Sequence, residues 1–410
     1  MPDTAPPITM SNAAGTERLP MAALLALAMT GFICILTETL PAGLLPLLAG
    51  GLQVSQALAG QTVTAYAVGS LLAAIPLTIA TRRWPRRNVL LLTIVGFLLF
   101  NSITALSSSY VLTLVARFFA GVSAGLAWSL IAGYARRMVE PQQQGRALAV
   151  AMAGTPIALS LGVPLSTWLG NFVGWRVAFG IMSFLTLVLI GWVLAKVPNY
   201  PGQTSAQSLA LRRVVNTPGV VSVLAVVATW MLGHNVLYTY VAPLVALADL
   251  SGYVDVVLLV FGMAALIGIW LTGKVVDGHL RKAVLCSLAG FAVTALAFGL
   301  WPRQPIVVFV GIAIWGLSFG GAATLLQTAL ADAAGDGADA ALSMNVVVWN
   351  SAIAGGGLLG GVLLEHMGAG SFSWMVLIFS LASLLIAFSA RSHGFPAGHR
   401  QHRHVDQPII

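Results

Sequence analysis

Charge is what this sequence has least of. Only 8% of its 410 residues are Asp, Glu, Lys or Arg, against roughly 25% in soluble proteins, which excludes a water-soluble globular fold. Cysteine is scarce too. Cys34 and Cys286 both fall within apolar runs, so neither a disulfide framework nor a thiolate metal cluster is implied. No metal-ligand cluster or nucleophile–base arrangement stands out inside those runs, so no metal, no organic cofactor and no enzyme activity is expected. The stretch Gly268-Ile-Trp-Leu-Thr-Gly273-Lys274 copies most of a phosphate-binding loop, but Val275 replaces the required Ser or Thr and the setting is an apolar helix. ATP-driven transport by this chain alone is thereby rejected.

What is there is apolar length: 58% of the residues are hydrophobic and the mean hydropathy is +0.91. A helix needs about 20 apolar residues to cross a ~30 Å hydrocarbon core. The chain divides into twelve such spans, at 21–49, 57–81, 88–106, 110–135, 147–170, 176–197, 219–247, 253–274, 281–301, 305–331, 340–364 and 372–390. The first, Met21 to Ala49, is too long for a signal-peptide core and reads as an uncleaved helix. Basic residues orient the spans. With a cytoplasmic N-terminus, seventeen of the 20 Lys and Arg face the cytoplasm, Arg176 and Arg303 face outward, and Arg117 lies within a span. That bias follows the positive-inside rule, so the net charge of +8 is a topological signal rather than a nucleic-acid surface.

The expected fold is therefore all-α and membrane-spanning, with twelve helices in two pseudo-symmetric six-helix halves and both termini cytoplasmic. Residues 1–20 form an N-terminal tail, 21–197 the first bundle, 198–218 a flexible linker rich in Pro, Gly, Ser and Gln, 219–390 the second bundle, and 391–410 a C-terminal tail. Weak echoes connect the halves. Glu38 stands three residues before Pro41 as Tyr240 stands before Pro243, and Gly121 and Gly125 recur as Gly316 and Gly320. Parallel six-plus-six repeats favour a transporter with its substrate site between the halves.

Two ionisable residues sit well inside spans, Glu38 and Arg117, and such residues are functional by default. At 1.5 Å per residue, Glu38 lies roughly 5 to 17 Å and Arg117 about 10 Å below the outer face, so the two could meet. Desolvation pushes a buried carboxyl towards its neutral form and a guanidinium towards its ionised form; a group balanced between them can take and release a proton. The plainer alternative has Glu38 bonded to Thr37 or Thr39, and Arg117 tied to main-chain carbonyls. His234, Asn235 and Tyr238 share a face of the seventh span, and Asn345 and Trp349, with Asn350 beside them, a face of the eleventh. These faces suit a cavity for an uncharged or weakly charged solute; interhelical hydrogen bonding is the plainer reading. His234 could also carry protons. The Gly-rich runs, including Gly355 to Gly361, suit close helix packing.

With these residues in view, the chain resembles the major facilitator superfamily, in particular its twelve-helix drug:proton antiporter branch, which includes sugar-efflux, arabinose-efflux-like, chloramphenicol-export and purine-nucleoside-export permeases. The segments that carry the resemblance are TETLPAGLLP (37–46), RFFAGVSAG (117–125), QGRALAVAMAGTPIALSLGVPL (144–165), GWRVAF (174–179), HNVLYTYVAP (234–243) and GKVVDGHLRK (273–282). The resemblance implies a cytoplasmic gate at Gly273, Asp277, Arg281 and Lys282, proton transfer at Arg117, and an export-associated fifth-helix motif at Gly154, Pro156, Gly162 and Pro164. The first-half copy of the gate departs from the family pattern, with Arg82 in place of Asp and Pro85 in place of Gly.

The function expected is a proton-coupled secondary transporter, bacterial as the resemblance implies, that exports a drug, sugar or nucleoside-like metabolite across the inner (plasma) membrane by alternating access. Its partners would be the solute, protons and the lipid bilayer, with a monomer sufficient. The alternatives are a proton symporter or uniporter importing a metabolite, and a non-transporting membrane sensor.

Overall fold

The structure is a computed structural model that describes residues 19–202 and 211–396, and these residues form helices and short connections only. The N-terminal tail through residue 18, the middle of the linker and the C-terminal tail beyond residue 396 lie outside the described residues. The first half contains α1 (Met21–Gly43), α2 (Gln56–Thr81), α3 (Arg86–Leu106), α4 (Tyr110–Arg137), α5 (residues 144–173) and α6 (Trp175–Lys196). The second contains α7 (Val220–Thr239), α8 and α9 (254–278 and 280–300), α10 (Pro305–Gly320, continued by Ala322–Ala334), α11 (Ala338–Met367) and α12 (Ser371–Ser389).

Eleven helical stretches are long and apolar enough to cross a membrane. One of them, Val254–Leu300, has 47 residues, about twice a bilayer crossing. His279 inside it has non-helical backbone angles (φ −140°, ψ 35°). Divided there, it supplies the eighth and ninth crossings, giving twelve.

Four spans expected as single helices are interrupted, α10 at Gly321 and three others beside prolines. α1 stops at Gly43, and Leu44 (φ −108°, ψ 15°) joins it to a short helix, Leu45–Leu52. Pro41 and Pro46 flank that joint, and each lacks the N–H that would continue the helical ladder. α7 stops at Thr239, and Tyr240 (φ −113°, ψ 33°) joins it to Val241–Ala246, which carries Pro243. In α5, Pro156 and Pro164 bracket a π-helical turn at Ala158–Gly162, the usual accommodation where the ladder is broken. The two joints correct the sequence echo. Glu38 and His234 stand equally far before Leu44 and Tyr240, so Glu38 is matched by His234 and not by Tyr240.

Small residues let the helices approach closely. A Cβ on Gly121 would strike the Tyr66 carbonyl and one on Gly125 the Ser70 carbonyl; in the second half, Gly316 abuts the Phe261 carbonyl and Gly320 the Ala265 carbonyl. Each pair has the same separation along the chain, so α2 on α4 and α8 on α10 pack in one register. The turns after α5 and α11 also match. Gly174 (φ 85°) and Gly368 (φ 76°) adopt a left-handed conformation there that glycine adopts without steric cost.

The linker is docked at its first end rather than loose. Main-chain N–H of Arg86 donates to the Tyr200 carbonyl (2.9 Å), Arg87 N–H to Asn199 Oδ1 (3.2 Å) and Arg137 to the Pro201 carbonyl (3.1 Å). The Tyr134 hydroxyl donates to the Pro198 carbonyl. Main-chain donors left over at the start of α3 and side-chain donors from the end of α4 hold the strand of linker that passes them. Towards the other end, Leu211–Val215 is helical.

Candidate functional site

The face carrying Arg82 to Arg87 is called the basic face below, and the other the opposite face. α1 packs on α2, α4, α5 and α6 of its own half and touches α7 and α8 of the other. Surface left open on such a helix faces the space between the halves. Along one stripe, Met21 (45%) and Leu25 (42%) are exposed, Met29, Phe32, Ile35 and Thr39 are partly accessible, and Ala42 to Leu45 are sealed. α7 repeats the gradient: Val221 is 55% exposed, Ala225, Ala228 and Leu232 are partly accessible, and Gly233 to Ala242 are buried throughout. The cleft between the halves therefore opens to the basic face and closes towards the opposite one.

Glu38 and Arg117 lie at the closed end and are brought together, though not as a direct ion pair. Arg117 is fully buried. Its Nε donates to the Thr62 carbonyl (3.4 Å) and its Nη2 to the main-chain carbonyl of Glu38 (3.5 Å), both long bonds, while Nη1 has no partner. Its guanidinium also lies over the rings of Tyr66 (4.9 Å) and Phe179 (5.7 Å), each cation–π contact worth about 0.5–2 kcal/mol. Tyr66 in turn donates to the Cys34 carbonyl (2.9 Å). Glu38 is partly accessible. A buried cation with one unfilled nitrogen thus stands beside Glu38, a residue that keeps partial accessibility at the closed end of the cleft.

In the second half the matching position is neutral and aromatic. His234 stacks on Phe319 with centroids 3.5 Å apart and planes 4° apart, and lies 5.4 Å from both Tyr238 and Trp315 and 5.9 Å from Phe261. Trp315 Nε1 donates to His234 Nδ1 (3.1 Å). A ring nitrogen that accepts carries no proton, so in the neutral imidazole the proton is on Nε2. The hydroxyl of Tyr238 and the indole N–H of Trp230 are buried without partners.

Other residues singled out from sequence are dispersed. Asn235 turns away from His234, donates to the Met231 carbonyl (2.9 Å) and packs its Cβ towards Gly356 of α11. Asn345 is buried with Oδ1 unpaired, Trp349 is partly accessible, and Asn350 donates to the Val346 carbonyl of its own helix (2.9 Å). Gly154 abuts the Ala28 carbonyl of α1, and Gly162 the Phe32 ring; Pro156 accepts a bond from Ser160 (2.6 Å), and Pro164 opens the next helical segment. Gly273, Asp277 and Lys282 are exposed at the basic face. Arg281 donates to the carbonyls of Ala387 (2.9 Å), Phe388 and Phe395 (both 2.8 Å), capping the end of α12.

Sequence reasoning missed the partners. Phe319, Trp315 and Phe261 look like ordinary apolar residues in sequence, and only the alignment of α8 on α10 through Gly316 could have drawn them together. Gln61, near the start of α2, drew no attention either.

The model of the Major Facilitator Superfamily matches residues 27–357. The chain belongs to the major facilitator superfamily. It is similar to the purine ribonucleoside efflux pump NepI of Shigella sonnei (strain Ss046), with 31% identity over 363 residues that cover 86% of this chain and 90% of the relative. To the protein of that name from Escherichia coli (strain K12) it is 31% identical over 342 residues, 82% of this chain and 85% of the relative. As a member of this superfamily the chain is a membrane transporter of small molecules and not an enzyme.

Proposed function

We propose that this protein is a proton-coupled exporter of the bacterial inner membrane, working by alternating access of its halves at 21–197 and 219–390, and that its solute is a flat, hydroxylated, uncharged molecule of the purine ribonucleoside type. The basic face is cytoplasmic, as are both termini, and the cleft described above is the cytoplasmic entrance. A monomer suffices, since both halves of the cleft come from one chain.

One observation carries the reading: a fully buried guanidinium with an unpaired Nη1 beside Glu38, at the closed end of the cleft. Ionised, Glu38 is the counter-ion Arg117 otherwise lacks; protonated, it leaves that charge to main-chain carbonyls and two rings. The exchange follows. Solute arriving from the cytoplasm favours loss of the proton, and a proton arriving from outside displaces the solute outward. His234, Tyr238, Asn345, Trp349, Asn350 and Asn235 belong to the second half's side of the substrate path, with His234 and Tyr238 foremost. The 273–282 segment regulates the cytoplasmic entrance, and the α5 motif supplies the bend against which α8 slides. The solute class rests on the named substrates of the relatives, supported by the aromatic setting of His234, since stacking favours a planar base.

The test uses inside-out vesicles with an imposed proton gradient and a pH-sensitive dye, challenged with purine ribonucleosides, free sugars and antibiotics. Proton release from the lumen on adding a purine ribonucleoside is the expected result. Flux of opposite sign identifies an importing symporter, and no flux with any ribonucleoside overturns the solute class.

A further inference from the structure

Tyr240 is the joint between α7 and the short helix after it, and its side chain is fully buried between the two halves. The hydroxyl donates to the Gly357 carbonyl of α11 (2.8 Å), with the Ala57 carbonyl of α2 as the alternative acceptor (3.2 Å). Gln61 Nε2 of α2 donates back to the hydroxyl (3.1 Å) and to the Gly357 carbonyl (3.2 Å). Around the ring, Gly60 of α2 and Gly360 of α11 leave room that any Cβ would fill, and Phe372 of α12 closes the side at 5.8 Å. One side chain thus locks α2 to α7 and α11. On its far side a cavity of about 650 Å³, lined by Ser55, Gln56, Pro243 and Glu365 among others, opens at the opposite face. Ser55 donates to Glu365 (3.1 Å) across its mouth. On its near side lie Glu38 and the closed end of the cleft.

Two residues before this plug, Tyr238 reaches α1. Its hydroxyl, unpaired and buried, stands beside Thr39 and within electrostatic range of Glu38. Among the described residues, the titratable groups that face Glu38 are Arg117 from α4, Tyr66 from α2, Tyr238 from α7 and, on its own helix, Cys34. Only Tyr238 belongs to the second half.

We infer that Tyr240 is the exit gate of the transporter, that the cavity beyond it is the release vestibule, and that Tyr238 ties the gate to Glu38 through the joint at Thr239–Tyr240. The tie rests on the proposed proton site; the gate does not. Loss of a proton from Glu38 draws a hydroxyl donor towards the carboxylate and holds the joint shut, and protonation removes that hold. Opening then requires the ring to leave its glycine-walled slot, which parts α2 from α11 and joins the cleft to the vestibule.

The test places a cysteine reporter beneath the plug, Thr39→Cys, in a chain with Cys34→Ala and Cys286→Ser, and a second at the entrance, Leu25→Cys. A membrane-impermeant methanethiosulfonate reagent is applied from either side of oriented vesicles. With Tyr240→Ala, labelling of the inner reporter from the opposite face is expected to rise by at least about tenfold, a bias of ~1.4 kcal/mol in the gate. Labelling of the entrance reporter from the basic face falls in step. Tyr240→Phe and Gln61→Ala, which disturb the fold less, give smaller shifts of the same pair of signs. An unchanged inner reporter, or both reporters rising together as in general loosening, overturns the gate. Acidifying the opposite side should raise inner labelling with Glu38 and Tyr238 present, and not with Glu38→Gln or Tyr238→Phe. A response that survives both Tyr238→Phe and Tyr238→Ala overturns the tie. An absent response in the chain with Glu38 and Tyr238 intact counts against the proton site itself, while the Tyr240 variants still decide the gate.

Discussion

The two halves are built on one packing register and filled with opposite chemistry. In the first, Glu38 neighbours Arg117, and Arg117 lies over Tyr66. In the second, His234 takes the place of Glu38 before the helix joint, Phe261 takes the place of Tyr66 against the glycine of its partner helix, and Ile312 stands where Arg117 would. Trp315 and Phe319 complete an uncharged cluster. The shared backbone register shows that close helix packing is what the repeat preserves. On the proposed function, the difference confines charge movement to one half: a proton is traded against a guanidinium in the first, and the second offers rings and hydrogen-bond groups for a neutral solute.

The largest effect that would break this comparison is at Glu38. Glu38→Gln keeps the shape and removes the titration, so gradient-driven export in vesicles should fall to background while the protein still binds solute. Next come the glycines, where the halves should behave alike. Gly121→Val and Gly316→Val each force a side chain into a main-chain carbonyl, and overpacking of this kind costs about 1–3 kcal/mol; matched losses of thermal stability in detergent would confirm one register. Arg117→Lys is the third. It keeps the charge but gives up the fork and the stacking on two rings, and a transport rate lower by on the order of tenfold, or ~1.4 kcal/mol, is expected with little change in solute affinity. Smallest is Trp315→Phe, which deletes the bond to His234 Nδ1, worth about 1 kcal/mol. A several-fold weaker solute affinity with an unchanged proton-to-solute ratio would sharpen the assignment of the second half.

Much of this was legible in the residues. Apolar length and Pro or Gly punctuation located all twelve crossings, because a bilayer demands about the same length of every helix. Prolines 41, 46, 156, 164 and 243 marked the interruptions in α1, α5 and α7, but hydropathy averages across such joints and read each span as continuous. Glu38 and Arg117 stood out because a charge in hydrocarbon is conspicuous. The aromatic cluster did not, since Phe and Trp are common in any span and their meeting depends on α7, α8 and α10 coming together. The Tyr240 plug was hidden for a related reason: its partners at Ala57, Gln61 and Gly357 lie far away in sequence. Arg281 carried a motif, yet its bonds at the end of α12 depend on how the last described residues fold back.

The central claim is that the first half handles protons and the second half handles solute. It is tested most directly in proteoliposomes, by measuring solute exchange at equal pH and proton-driven export in parallel, for the unsubstituted protein, Glu38→Gln and His234→Phe. The account predicts that Glu38→Gln keeps exchange and loses proton-driven export, whereas His234→Phe weakens both through solute affinity and leaves the proton-to-solute ratio intact. Equal loss of both activities in Glu38→Gln, or an altered ratio in His234→Phe, would contradict it.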